Sequence, residues 1–254
     1  MRHLISVSFA LILALAGTVV CGAATRHVPQ QYATIQAAID AAAPGDKISV
    51  DDGVYFEHVV IPIQNIEIVG EDGAIVDGGP TGRSTAGAKG IYVAAPGATV
   101  RGMTIRNFDA GMYIDQPGSR IQANTITACN DGIIAAVFGD GVIIPAKTTI
   151  DHNGVNGNAL GIVLDNCQNV TVTHNVVDSN TEIGIVLQTS TVGCTVTHNE
   201  ANDNGIYGIF VEFTASGNVL SHNKAFGNVI FDAVDEILAQ NLWIHNKFGT
   251  SSGI

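Results

Sequence analysis

The sequence has few charged side chains and especially few basic ones. Only 13% of its 254 residues are charged, and 11 lysines and arginines face 23 aspartates and glutamates. This low charge, together with 29 glycines, excludes a disordered tail and a coiled coil. The shortage of basic residues argues against DNA or RNA as a partner, because phosphate binding needs a basic surface.

Cysteine is also scarce, with four in the chain. Beyond Cys21, the three that remain are odd in number and far apart, namely Cys129, Cys167 and Cys194. This spacing matches neither a disulfide framework nor a zinc motif. We therefore predict buried, unpaired thiols.

One long apolar run lies at the N-terminus. Arg2 and His3 precede an apolar stretch over residues 4–20, and small residues at 22–24 offer a cleavage site before Thr25. This pattern predicts a signal peptide over residues 1–24, a periplasmic or secreted protein and a mature domain over 25–254. The alternative is a retained membrane anchor, for which seventeen apolar residues are near the lower limit.

Two markers recur along the chain with a period of 21 to 24 residues, apart from one longer coil of 29. One is a corner in which "TVTHN" occurs at residues 171–175 and again at 195–199. The other is a glycine followed by apolar residues, at Gly90, Gly111, Gly132, Gly161, Gly184 and Gly208. Such a period suits three short strands with tight turns and leaves no room for helices between them. Because such units bury their apolar faces only by stacking, we predict a single-domain, all-β solenoid of parallel strands.

Asparagine ends each corner. Because its side chain tolerates a left-handed backbone and both donates and accepts hydrogen bonds, we expect these asparagines to form the bend and to stack as a ladder. The predicted members are Asn107, Asn124, Asn153, Asn175, Asn199, Asn223 and Asn246. The repeats and the ladder resemble the right-handed parallel β-helix superfamily of pectate-lyase-like proteins over about residues 28–250. The resemblance implies that fold, with a substrate cleft on an outer face.

Both ends of the solenoid need a cover, because an open end exposes sheet edges. A helix with Thr34 as N-cap and an end at Pro44 and Gly45 is predicted near the N-terminus. Its buried face consists of Ile35, Ala38, Ile39 and Ala42. At the other end we expect Trp243 and Phe248 to close the last coil.

Alternation in the glycine-led strands predicts two outward columns, because Ile162 and Leu164 point inward. The first column is Tyr92, Tyr113, Ile134, Val163, Val186 and Phe210. The second column is Ala94, Asp115, Ala136, Asp165, Gln188 and Glu212, with Glu236 in the last coil. Apolar groups beside polar ones suit sugar rings, so we predict a polysaccharide or oligosaccharide partner. The substrate-binding candidates are Tyr92, Tyr113, Phe210, Asp115 and Gln188.

The outward carboxylates are candidates for acid–base catalysis. Glu212 and Glu236 on adjacent coils are expected about 5 Å apart, near the separation in retaining glycosidases. Asp165 and Glu212 are expected about 10 Å apart, at the wide limit for inverting enzymes. Calcium binding by Asp115, Asp165 or Glu212 and a plain solvated acidic surface are the alternatives.

An insertion, "VFGDGVIIPAKT" over residues 137–148, makes one coil longer than the others. It contains Lys147, which is a candidate for the cationic catalytic residue that a lyase or epimerase of sugar acids needs. The chain lacks the Arg-x-x-Pro-x-x-Arg of pectate lyases and the paired aspartates of polygalacturonases. It also lacks the Asp-Pro-His of alginate epimerases and the Asp-Phe-Ile-Phe-Gly of pectin methylesterases. Whether the protein is a polysaccharide lyase, a glycoside hydrolase or no enzyme therefore stays open.

Histidines precede the later ladder asparagines. They are His152, His174, His198, His222 and His245, with an expected spacing of about 4.8 Å. Such a row suits a soft or borderline metal, with His174, His198 and His222 as ligands. The pattern also resembles a periplasmic accessory protein of copper-site maturation in nitrous oxide reductase, which implies a copper-binding accessory role. A structural or adhesive surface solenoid is the third alternative, and we expect a monomer.

Overall fold

The computed structural model describes residues 22–82, 85–136, 146–237 and 239–254, and these form a parallel β-solenoid. The prediction of an all-β solenoid is confirmed, since every pairing between named strands is parallel and links successive coils. The predicted signal peptide lies almost wholly outside the described residues. Among the described residues, no helix is long and apolar enough to cross a membrane.

Three faces make up the solenoid. The glycine-led sheet has nine strands: β4 (Val59–Ile61), β7 (Lys89–Val93), β10 (Ala110–Ile114), β13 (Asp131–Ala136), β16 (Leu160–Asp165), β18 (Ile183–Gln188), β20 (Tyr207–Val211), β23 (Phe231–Asp235) and β26 (Ser251–Ser252).

The ten-stranded sheet precedes the histidine corners: β1 (Thr25–Val28), β2 (Lys47–Val50), β5 (Glu67–Gly70), β8 (Thr99–Arg101), β11 (Arg120–Gln122), β14 (Thr149–Asp151), β17 (Thr171–Thr173), β19 (Thr195–Thr197), β21 (Val219–Ser221) and β24 (Leu242–Ile244). The third face holds a five-stranded and a two-stranded sheet: β3 (Gly53–Tyr55), β6 (Ala74–Asp77), β9 (Thr104–Arg106), β12 (Thr125–Thr127), β15 (Gly154–Asn156), β22 (Lys224–Ala225) and β25 (Lys247–Phe248).

The core is a stack of equivalent aliphatic side chains. Ile133 pairs in register with Ile162, which pairs with Ile185, and all three are fully buried. The same holds on the ten-stranded sheet, where Val172 pairs with Val196. β-branched side chains suit this arrangement because they pack well on a pleated surface.

The recurring glycine is explained by close approach between coils. A Cβ atom placed on Gly161 would lie 2.3 Å from the carbonyl oxygen of Gly184, and one on Gly184 would lie 2.6 Å from that of Gly208. Neither glycine has a positive φ. The residue is therefore required because there is no space for a side chain, and the backbone conformation itself does not demand it.

The asparagine ladder is present from Asn124 to Asn246. The side-chain oxygen of Asn199 accepts hydrogen bonds from the backbone and side-chain nitrogens of Asn175, both at 2.9 Å. The next rung repeats this geometry, with Asn223 accepting from Asn199 at 2.9 and 3.1 Å. Since Asn199 and Asn223 are fully buried, these bonds satisfy groups that water does not reach.

Two details of the predicted ladder are wrong. The left-handed residue of each corner is the one before the asparagine, which is Ala123 before Asn124 and a histidine in the later corners, as at His174 with φ 55°. This lets the asparagine amide point into the coil and bond its neighbour. Asn107 does not join the ladder, because its amide donates to Asp77 at 2.8 Å while Met103 donates its backbone N–H to Asn124.

A second ladder, which the sequence analysis missed, runs parallel to the first. Its rungs bond in the same way, with the Asn180 oxygen accepting from the backbone of Asn158 at 3.0 Å. Its members are Asn158, Asn180, Asn204 and Asn228, and Asp232 accepts at its end. From Asn158 to Asn228, stacked amides thus fix a second turn in each coil.

The predicted helical cap is confirmed as α1 (Ile35–Asp40), with the Thr34 hydroxyl accepting from the backbone N–H of Ala37 at 3.1 Å. Ile35, Ala38 and Ile39 are buried, and the helix ends before Pro44. A short turn, α2 (Gly79–Gly82), is the second helical element. At the other end, Trp243 and Phe248 pack with ring centroids 5.8 Å apart. Cys129, Cys167 and Cys194 are buried, as predicted, and none of these three described cysteines forms a disulfide.

Candidate functional site

The outer face of the glycine-led sheet carries the two predicted columns in the predicted register. Tyr92 pairs with Tyr113, and each later member of the first column pairs with the next up to Phe210. The expectation of a continuous accessible stripe is nevertheless wrong at its centre. Tyr113, Val163 and Val186 are exposed by 3%, 5% and 0%. Tyr92, Ile134 and Phe210 remain half-buried, so the accessible surface of the first column is interrupted.

At the N-terminal end, two carboxylates have unusual surroundings. Asp115 accepts a hydrogen bond from the Tyr92 hydroxyl at 2.5 Å, while its second oxygen is buried and, within the described part of the chain, accepts none. One oxygen of Asp165 is in the same situation. The Lys89 amine lies 5.0 Å and 4.7 Å from the ring centroids of Tyr92 and Tyr113. Tyr92, Tyr113, Asp115 and Lys89 form a polar cluster with a half-buried negative charge.

The tyrosines of this cluster are donors and not bases. Burial, with the neighbouring Asp115 carboxylate, raises the pKa of Tyr92 to about 12. Burial and the same carboxylate also raise the pKa of Tyr113 above its usual range. Both hydroxyls therefore keep their protons at neutral pH. A shared calcium is disfavoured, because Ala136 separates Asp115 from Asp165 by two coil spacings, about 10 Å.

Four polar side chains continue the second column along one edge of the face, and we call them the acid ridge: Asp165, Gln188, Glu212 and Glu236. Asp165 pairs with Gln188, and Glu212 and Glu236 directly follow β20 and β23, whose last residues Val211 and Asp235 are paired. The Glu212 carboxylate accepts from the backbone N–H of Thr189 at 3.3 Å. The Glu236 carboxylate accepts from that of Phe213 at 3.3 Å. Both carboxylates thus lean toward the preceding coil.

A cleft of about 560 Å³ lies beside the C-terminal end of the acid ridge. We call it the C-terminal cleft, and it is lined by Tyr207, Phe213, Phe231, Val234, Asp235, Glu236 and Ser252. Phe213 is 64% exposed, and the Tyr207 ring stacks on that of Phe210 with centroids 5.0 Å apart. The sequence analysis named Phe210 and Glu236 but missed the other aromatic residues, because they stand at the ends of strands, outside the alternating pattern.

Lys147 lies in the turn before β14, where its backbone N–H donates to the carbonyl of Asn169 at 3.1 Å. It has a positive φ of 58°. Most of the insertion that carries it, residues 137–145, lies outside the described residues. A catalytic role for Lys147 stays a prediction.

The five histidines form a single row at the corner of the ten-stranded sheet, which we call the histidine file. Neighbouring rings lie 4.8 to 5.1 Å apart, and the first four are stacked within 14° of parallel. The file is on a different face from the acid ridge. Sequence reasoning therefore predicted the file correctly, whereas the ligand set His174, His198 and His222 stays a prediction.

The start of β13 provides a test of the electrostatics near the glycine-led sheet. Burial, with the carboxylates of Asp109 and Glu182, raises the pKa of Asp131 to about 6, against 3.8 in an unfolded chain. The folded state thus binds the Asp131 proton more tightly than the unfolded chain does. The protonated carboxyl therefore contributes fully to the free energy of unfolding below the unfolded pKa of 3.8, and this contribution is lost as pH rises through the folded pKa of about 6.

We therefore expect Asp131→Asn to raise the melting temperature near neutral pH, with the gain disappearing at about pH 4. Thermal unfolding followed by circular dichroism at both pH values measures this. An equal shift at the two values would show that Asp131 acts through packing and not through its charge.

The comparisons with known proteins agree with this architecture. A family model described as "Right handed beta helix region" matches residues 82–246. The chain belongs to this β-helix family. No curated protein sequence matches it.

Solved structures of other β-helix proteins are similar in fold. The A-module of an Azotobacter vinelandii mannuronan C-5 epimerase matches with a TM-score of 0.59 at 13% identity, over 82% of this chain and 61% of that one. A pectate lyase matches with 0.60 at 13%, over 85% and 72%. The catalytic domain of an alpha-1,3-glucanase in complex with tetrasaccharides matches with 0.63 at 13%, over 79% and 40%.

These similarities establish the fold. The β-helix chain spans less than two thirds of the epimerase module and of the glucanase domain. The similarity to the copper-maturation accessory protein has no counterpart in these matches.

Proposed function

We propose that this β-helix protein binds a polysaccharide in the C-terminal cleft. The observation that carries the proposal is a cleft in which the exposed Phe213 ring and the half-buried Tyr207 ring lie beside carboxylates, at the outer face of the glycine-led sheet. Phe213 and Tyr207 offer flat apolar surfaces for sugar rings, and Glu236 offers a hydrogen-bond acceptor for hydroxyl groups. The fold neighbours include enzymes named for polysaccharide substrates, which supports a carbohydrate ligand.

The charge of the site favours a neutral polysaccharide. Glu212 and Glu236 lie on adjacent coils, and Asp235 lines the cleft beside them. A polymer of sugar acids would meet these carboxylates with like charge, which disfavours binding. The net charge of −12 over the whole chain acts in the same direction.

The spacing of the same two glutamates supports a role in hydrolysis. Carboxylates on adjacent coils are separated by about 5 Å, the spacing of an acid and a nucleophile in a retaining glycosidase. In this role Glu212 and Glu236 would divide the general-acid and nucleophile functions between them. Hydrolysis extends the binding proposal and is tested separately.

Binding is tested by isothermal titration with neutral glucan and mannan oligosaccharides. We expect Phe213→Ala and Tyr207→Ala each to weaken binding about tenfold, since an exposed ring that stacks on a ligand is worth more than 1 kcal/mol. Phe56→Ala is the matched control, because Phe56 is 71% exposed and lies outside the cleft. Loss of affinity in the control to the same degree, or binding by none of these glycans, would contradict the proposal.

Turnover is followed by the release of reducing ends. Glu212→Gln and Glu236→Gln keep the shape of the cleft and remove the acid and nucleophile functions. We expect each to abolish release while leaving oligosaccharide affinity within a few-fold, as expected for groups that act in the transition state. If binding occurs without turnover in the unmodified protein, the cleft is a binding site and not a catalytic one.

A further inference from the structure

We propose that the N-terminal end of the histidine file is a site for a borderline divalent metal ion such as Zn²⁺, formed by Asp151, His152 and His174. The three side chains each offer one ligand atom, and these atoms lie within 4.8 Å of one another. Among the described residues, this is the one such group of metal-ligating side chains. It is on a different face from the C-terminal cleft, so it is independent of the polysaccharide proposal.

The geometry is close to that of a bound ion. The Asp151 Oδ1 atom lies 2.7 Å from Nδ1 of His152 and 3.7 Å from Nδ1 of His174. In a tetrahedral zinc site, neighbouring ligand atoms lie about 3.3 Å apart. The two measured separations lie on either side of this value, and the third, between the two histidine ligand atoms, is within 4.8 Å. Since the rings stack at 4.8 Å with 11° between their planes, they are already oriented alike.

The carboxylate is held for this role by its own neighbour. Gln122 pairs with Asp151 in register, and its amide nitrogen lies 3.5 Å from Oδ2 of Asp151. This contact leaves Oδ1 facing the histidines. Orientation of a ligand carboxylate by a second hydrogen bond is a general feature of metal sites.

The rest of the file lacks this arrangement. In the coils that follow, the position of Asp151 is taken by Thr173, Thr197 and Ser221. The threonine hydroxyls lie 2.9 Å from Nδ1 of His174 and of His198. A hydroxyl is a much poorer zinc ligand than a carboxylate, so stacked histidines alone do not form the site. The proposed site therefore differs from the predicted set of His174, His198 and His222, because it includes Asp151.

Three protein ligands leave the fourth tetrahedral position to water or to a group from a partner. The side chains of His152 and His174 are exposed by 60% and 49%, so an ion reaches them from solvent without any opening of the fold. An open fourth position is the arrangement of zinc sites that bind or activate an external ligand.

Isothermal titration of the full chain with Zn²⁺ tests the proposal. We expect one ion per chain, and affinity at least tenfold lower in Asp151→Asn, His152→Asn and His174→Asn. His222→Asn and His245→Asn are the matched controls, because asparagine tolerates the left-handed corner that these histidines occupy. Circular dichroism establishes that each variant is folded.

A gain-of-function variant makes the test sharper. Thr197 relates to His198 and His222 as Asp151 relates to His152 and His174. We expect Thr197→Asp to raise the stoichiometry from one ion to two. In the unmodified protein, NMR signals of the His152 and His174 rings should shift on addition of Zn²⁺ while those of His222 do not. Absence of binding, unchanged affinity in Asp151→Asn, or equal shifts along the file would overturn the proposal.

Discussion

Asn199→Ala is expected to destabilise the protein by about 4 kcal/mol, because each buried polar group left without a partner costs about 1–3 kcal/mol. The Asn199 side chain is fully buried and takes part in five hydrogen bonds. Alanine would leave the buried backbone N–H of Asn175 without its acceptor, and would remove four further hydrogen bonds that each contribute about 1 kcal/mol. Urea unfolding followed by circular dichroism measures the loss.

The terminal rung provides the matched control. Asn246 accepts from the backbone of Asn223 at 2.9 Å and donates to Leu220 at 2.8 Å, but it is half-buried and has no rung after it. Water can replace its bonds, so Asn246→Ala should lose less than half as much. Equal losses in the two variants would show that stacking along the ladder contributes little beyond local turn geometry.

Gly161→Ala is expected to destabilise the protein by about 3 kcal/mol, or to prevent its accumulation, because overpacking of a rigid core has costs of this size. The added Cβ would lie 2.3 Å from the carbonyl oxygen of Gly184 and 2.3 Å from a methyl group of Val177. The Gly184 oxygen is a backbone atom of the next coil, so it is not free to move aside. Thermal unfolding and soluble yield measure the effect.

Gly154→Ala is the control for this substitution. Gly154 has no positive φ, and the nearest atom to an added Cβ is the Asn156 amide nitrogen at 3.8 Å. Alanine should be tolerated there, or be slightly stabilising through the reduced freedom of the unfolded chain. If Gly161→Ala is tolerated as well, then the coils are able to separate locally and the glycine column is not a steric requirement.

The sequence predicted the coil spacing because spacing depends on residues that must repeat. The glycine column and the first ladder are such residues, since each contacts its own equivalent in the next coil. The second ladder repeats with the same period, each rung five residues after the first, as Asn180 follows Asn175. The repeating asparagines of the second ladder were therefore visible in the sequence, but no histidine precedes them to mark them as a repeat.

The site was less predictable. Alternation identifies which side chains point outward, as it did for Val186, but not whether other parts of the chain cover them. Phe213 follows the end of β20, where no periodic rule applies. The metal site depends on one difference between otherwise equivalent corners, "DHN" at Asp151 against "THN" at Thr173 and Thr197. A repeat pattern draws attention to what is shared, whereas specific chemistry here lies in what differs.

The exact superposition of one turn on the next also limits how the length of this chain can change. The segments that begin at Thr171 and Thr195 are interchangeable in register, since each contacts its neighbours through the same ladder and the same glycine. Removal of one complete turn would therefore bring together two matching surfaces and give a shorter but continuous rod. Removal of a single residue would shift every later side chain by half a pleat, so that length can vary in whole turns but not in single residues.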